Sequence, residues 1–225
     1  MRQKLFWLGA LGIAFGLVEA AVVVYLRTLC YPEGFELGVG GLPANLLRTE
    51  TIREGATLVI LAATGVLAGR TRLARFAAFI TVFGVWDIFY YLWLRAFLGW
   101  PETLLEWDIL FLIPSPWAAP VLAPLLVSLG FVGCGTWLFW REETGRRIRT
   151  TSMDWAVEIV AGGIIILSFL VNDGTALSEP AGAGVAFRWW LFGIGLAGGL
   201  GYFLWRALEG GEEQSPADPS EARSP

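Results

Sequence analysis

Apolar residues in this chain fall into six long runs separated by short polar breaks, with neither the strict alternation of a strand nor the one-sided stripe of a surface helix. The runs extend from about Leu5 to Leu29, Ile52 to Gly69, Phe76 to Leu98, Trp117 to Trp140, Met153 to Val171 and Val185 to Leu208. Each approaches the roughly 20 residues that an α-helix needs to cross about 30 Å of hydrocarbon. The pattern predicts an all-α, polytopic transmembrane bundle over residues 1–208, with six spans. Within the third connection, Pro101 suits a first helical turn and Pro114 a stop, so 101–113 reads as a short interfacial or re-entrant helix between spans three and four. The segment 209–225, rich in Glu, Ser, Pro, Ala and Gly, reads as a disordered cytoplasmic tail.

The first run follows Arg2 and Lys4 and contains Ala20 and Ala21, features that also suit a cleaved leader. Its apolar length exceeds that of a leader's core, so it reads as a retained span. Composition agrees with a lipid solvent: 56% of the 225 residues are hydrophobic, 16% are charged and the mean hydropathy is +0.60. Six spans leave no length for a soluble catalytic domain. The basic residues are scattered at helix ends without forming a stripe, which sets nucleic acid aside as a partner.

Basic residues do distinguish the two sides. Arg2, Lys4, Arg70, Arg72, Arg75, Arg141, Arg146, Arg147, Arg149, Arg206 and Arg223 all fall on one side of a six-span arrangement. Arg27, Arg48, Arg53, Arg95 and Arg188 fall on the other. The positive-inside rule makes the first side, with both termini, cytoplasmic, in a bacterial-type plasma (inner) membrane.

The chain has no histidine. No haem or His-ligated metal is therefore expected, and any metal would be a hard divalent cation on oxygen ligands. Cys30 and Cys134 fall at different depths, so both read as packing residues. Trp7, Trp100, Trp117 and Trp140 lie near predicted interfaces, as in an aromatic belt. Glycines at 9, 12 and 16 in span one and at 193, 195, 198 and 199 in span six make small-residue faces. Such faces suit close helix approach, including docking on a membrane-protein partner.

Carboxylates inside spans carry the candidate chemistry, because a charge at the bilayer centre costs about 2.5–3.5 kcal/mol even on lenient scales. Glu19 lies on the face of Gly12 and Gly16 and is expected to point inward. At about 1.5 Å per residue, Glu19 and Glu54 lie roughly 21–23 Å, and Asp87 roughly 16 Å, from the cytoplasmic ends of their spans. Asp108 falls among Leu104, Leu105, Phe111 and Leu112 on a helical projection and is expected to face protein. The tripeptide Trp-Asp-Ile occurs at 86–88 and again at 107–109. Pro120 and Pro124 should break the start of span four and free backbone carbonyls beside these acids. Tyr90 and Tyr91 could add hydroxyls, and Arg53 and Arg95 countercharge. The expected site is an outward-facing polar pocket of Glu19, Glu54, Asp87, Asp108, Arg53, Tyr90, Tyr91 and Arg95; any metal would fall to Glu19, Glu54, Asp87 and Asp108.

Three functions fit such a chain. A transporter would bind a proton, a cation or a small polar solute in the carboxylate pocket. A non-catalytic subunit or assembly factor would use the glycine faces of spans one and six, with ion pairs fixing helix register. An intramembrane enzyme would use the carboxylates, or a metal they hold, on a lipid or isoprenoid. The stretch Pro114 to Pro120, in which prolines surround Trp117, resembles Trp-rich tetrapyrrole- and sterol-binding membrane proteins, a family with fewer spans. The likeness covers only that stretch, and no activity is carried over from it.

Overall fold

The structure is a computed structural model that describes residues 1–30, 43–146, 148–171 and 186–212. Its elements, in order, are α1 (Arg2–Cys30), α2 (Ala44–Ala68), α3 (Arg72–Leu98), β1 (Trp107–Phe111), β2 (Trp117–Pro120), α4 (Leu122–Glu143), α5 (Ser152–Leu170) and α6 (Trp189–Glu212). All six helices are long and apolar enough to cross a membrane. The all-α class and six apolar helices follow the hydrophobic pattern.

Helix α3 is the hub, packed against α1, α2 and α4. Lipid tails are as apolar as leucine, so helices associate in a bilayer by close packing of small residues. Ala74, Ala77, Ala78 and Val82 of α3 are accordingly buried with Leu8, Leu61, Leu138 and Phe139 from the three surrounding helices. Gly84 approaches α4 so closely that a Cβ there would stand 2.5 Å from the Ser128 carbonyl oxygen. The α1 glycines do the same on the other side: a Cβ at Gly12 or Gly16 would meet Val85 or the Trp86 carbonyl at under 3 Å.

One end of this four-helix group is clasped by polar contacts. Lys4 Nζ donates to the Ala68 carbonyl and to Glu143 Oε2, each at 2.8 Å. Thr71, which caps α3 by accepting from the Ala74 N–H, donates its own hydroxyl to Glu142 at 2.6 Å. The start of α1, the α2–α3 turn and the end of α4 therefore meet at the end where the sequence collects arginines. Helices α5 and α6 form a separate pair, closed at one end by Asp154, which accepts from Arg206 Nε at 2.8 Å and from the Tyr202 hydroxyl at 2.7 Å. Thr151 and Asp154 form a capping box at the start of α5.

At the opposite end from the Lys4 clasp, the chain between α3 and α4 forms a β-hairpin. Strands β1 and β2 pair antiparallel, with Trp107 opposite Pro120, Asp108 opposite Ala119 and Ile109 opposite Ala118. The expected helix over 101–113 is thus replaced by a turn and a strand. The prolines explain this: Pro114, Pro116 and Pro120 lack an N–H and push the residue before each toward extended backbone. Helix α4 consequently starts at Leu122, after the position expected for span four, and Pro124 falls in its first turn, where no N–H partner is required. The expected mid-helix break is an end of strand and a start of helix. Non-helical backbone at membrane depth is tolerated where protein covers it. Here Trp107, Ala118 and Ala119 pack with Phe169, Phe187 and Phe192, which ties the hairpin to the α5–α6 pair.

Other boundaries shift by modest amounts. Helix α2 begins at Ala44, two turns before the apolar run at Ile52, and α6 continues to Glu212, into the segment read as tail. The remainder of that segment, 213–225, lies outside the described residues, as does the side chain of Cys30.

Candidate functional site

Four elements converge on one polar cavity of about 140 Å³, walled by α1, α2, α3 and β1. It is lined by the acids Glu19, Glu50, Glu54, Asp87 and Asp108, the bases Arg27 and Arg53, and by Thr57, Tyr90 and Tyr91. Five carboxyl groups thus face two guanidinium groups.

All of the acids but Glu50 accept a hydrogen bond from a different element. Arg53, on α2, bridges two of them: its Nε donates to Glu50 Oε2 at 2.7 Å and its Nη1 to Glu19 Oε1 on α1. Thr57 adds a hydroxyl donor to the other Glu19 oxygen at 3.3 Å. Glu54 accepts from the backbone N–H of Leu112, just past β1, at 2.8 Å, fastening the hairpin to α2. Asp87 accepts from the Ser128 hydroxyl of α4 at 2.8 Å, and Asp108 from the Tyr91 hydroxyl of α3 at 3.0 Å.

Burial makes this arrangement consequential. Glu19, Glu50 and Asp108 are only 8%, 7% and 5% exposed, so their charges interact through protein rather than bulk water. In the hairpin, burial pushes the Asp108 carboxyl up to about 6, against the opposing influence of the Arg27 guanidinium and the Tyr91 hydroxyl. Asp87 keeps some accessible surface although protein surrounds it, because it faces the open cavity. Arg27 is itself positioned by an aromatic wall, its guanidinium lying 4.2 Å over the Trp100 ring.

Seven of the eight residues expected from sequence line this space: Glu19, Arg53, Glu54, Asp87, Tyr90, Tyr91 and Asp108. Arg95 does not. It turns back on its own helix end and donates to the carbonyls of Gly99 and, at 2.8 Å, Pro101. A positive charge at a helix C-terminus is well placed there, where carbonyls lack intrahelical partners.

Four participants escaped the sequence reading. Glu50 lies three residues before Arg53 and one turn before Glu54, but the apolar run starts at Ile52 and so leaves it in a loop. Arg27 is eight residues after Glu19, a two-turn spacing that shares a helical face. Thr57 continues the Glu50, Arg53 and Glu54 face by one more turn. Ser128 is 41 residues from Asp87 in sequence, and only packing connects them.

Among the described residues, no three acidic or cysteine side chains converge at metal-ligating distance. A single water needs about 10–15 Å³ by the same measure of volume. The cavity therefore has room for several waters or one small organic ion, and its acids are spread around the walls. Comparison with family models, curated proteins and solved structures finds no match to the chain.

Proposed function

We propose that this is a membrane protein that binds a small cation in the cavity between α1, α2, α3 and the hairpin, and passes it across the bilayer. The observation that carries the reading is the uneven pairing of the acids. Arg53 serves Glu19 and Glu50 and Arg27 acts on Asp108, whereas Asp87 and Glu54 are held by the Ser128 hydroxyl and the Leu112 N–H. A cation entering this space would restore the balance of charge, and its desolvation would be offset by carboxylates already in place. The spread of the acids favours a small ammonium ion, with several N–H donors, over a bare metal ion needing one tight shell of oxygens.

The arginine-rich end is assigned to the cytoplasm by the positive-inside rule, which puts both termini there and the hairpin at the outer face. The cavity is then loaded from outside. A role as a docking subunit draws less support from helix α1, because Gly12 and Gly16 are already packed on α3. Of the α6 glycines expected to form a docking face, Gly195 and Gly199 are packed on α5, whereas Gly193 and Gly198 have nothing within 4 Å of a built Cβ.

Uptake of labelled methylammonium into vesicles containing the protein tests the reading. Accumulation above protein-free vesicles, reduced at least tenfold by Asp108→Asn, is expected. Equal uptake by empty, wild-type and variant vesicles would count decisively against it.

A further inference from the structure

Asp87 also borders a second and larger space. A crevice of about 1380 Å³ runs between the α3–α4 face and the α5–α6 pair, and Asp87, Leu110 and Phe111 wall both this crevice and the polar cavity. Its other walls are mainly apolar, with Phe83, Trp117, Val127 and Phe131 near the shared boundary. Among its charged residues, Arg141, Arg149, Asp154, Arg206 and Glu209 gather toward the α4–α5 connection and the end of α6; Glu158 lies deeper, its carboxylate 3.3 Å from where a Cβ at Gly199 would stand, and Asp87 lies at the boundary with the polar cavity. Phe76 and Ile166 line the crevice and are each 38% exposed, so it is continuous with the outer surface of the helix bundle.

Such a volume is far more than methylammonium needs and exceeds the roughly 300–1,000 Å³ of common small-molecule pockets. Its shape combines a long apolar body with a half-buried carboxyl group, Asp87, beside the Ser128 hydroxyl at the boundary with the polar cavity. We propose that a long-chain primary ammonium, dissolved in the bilayer, occupies both spaces at once, with its hydrocarbon chain in the crevice and its charged group on Asp87. This deepens the cation reading of the polar cavity and rests on it. At the Asp87 end the complementarity depends on sign: an anionic head placed there would face a carboxyl group, whereas Arg141, Arg149 and Arg206 line the far end. Because acyl chains are as apolar as the crevice walls, the chain gains little by leaving the bilayer. Preference for the amphiphile must therefore come from its head, and Asp87 must decide it.

Photolabelling in lipid nanodiscs tests this, using dodecylamine with a diazirine on its chain and mass spectrometry to map the adducts. Adducts on crevice residues of α4 and α6 are expected, and unlabelled dodecylamine should compete at least tenfold better than dodecanoate. Asp87→Asn should abolish that tenfold preference. Val127→Trp, which narrows the crevice without touching the carboxylate, should remove the adducts and leave methylammonium binding, measured by equilibrium dialysis, unchanged. Equal competition by amine and acid, or adducts unaffected by both substitutions, would overturn the amphiphile while retained methylammonium binding keeps the simpler reading. Loss of methylammonium binding in the wild type would remove both.

Discussion

The two halves of the molecule use their polar residues in opposite ways. Around α3, four of the five acids take donors from another element: Glu19 meets Arg53, Glu54 meets the hairpin backbone, Asp87 meets α4 and Asp108 meets α3. In the α5–α6 pair, polar contacts between the helices collect at one end, where Asp154 meets Tyr202 and Arg206. The first arrangement encloses a polar cavity, and the second closes a helical hairpin beside an apolar crevice. The contrast teaches that ionisable groups from separate elements are drawn into one small cavity where α3 brings four elements together.

The largest effect should come from breaking the α3 contacts themselves. Gly84→Val places a side chain against the Ser128 carbonyl and neighbouring α4 side chains, and is expected to prevent recovery of folded protein from detergent, as judged by gel filtration. Gly198→Ala, where nothing lies within 4 Å, should leave the melting temperature unchanged or raise it by a few degrees.

Removing a central cation comes next. Arg53→Met strands two buried carboxylates and should cost about 3–5 kcal/mol in denaturant-induced unfolding. Arg206→Met removes a partly exposed base screened by solvent and should cost much less than Arg53→Met in the same measurement. Similar losses for both would erase the contrast between the halves.

Much of this was legible in the order of residues, for definite reasons. Six apolar runs are long enough to be unambiguous, and a carboxylate inside one is expensive enough that Glu19, Glu54 and Asp87 must find partners. The hairpin was less legible because a short apolar stretch such as Trp107–Leu112 does not by its periodicity separate strand from helix. Its pairing partner, Trp117–Pro120, lies within the run that reads as the start of span four. Glu50 was hidden by a helix that continues two turns beyond its apolar part, and Ser128 by the absence of any local signal linking α4 to Asp87. Arg95 fits its place at the end of α3 better than the pocket, as its position four residues before the αL residue Gly99, one helical turn, is consistent with.

A smaller effect concerns pH. Asp108, facing Arg27, Tyr90, Tyr91 and Asp87, is held up to about 6 by burial, so it is ionised above that pH and neutral below it. Binding of methylammonium should weaken as pH falls through about 6, approaching tenfold per pH unit if this carboxyl alone competes for the proton. Asp108→Asn should flatten that part of the profile. A wild-type profile that is already flat between pH 5 and pH 7, or one unchanged by Asp108→Asn, would remove Asp108 from the cation's contacts.

The most direct test of the account is equilibrium dialysis of labelled methylammonium against purified protein in nanodiscs at pH 7.5, comparing the wild type with the Asp87→Asn, Asp108→Asn double variant. Saturable binding of one ion per chain by the wild type, lost in a double variant that still elutes as folded protein, is the predicted result. Binding no greater than to empty nanodiscs, or equal binding by both proteins, would contradict it.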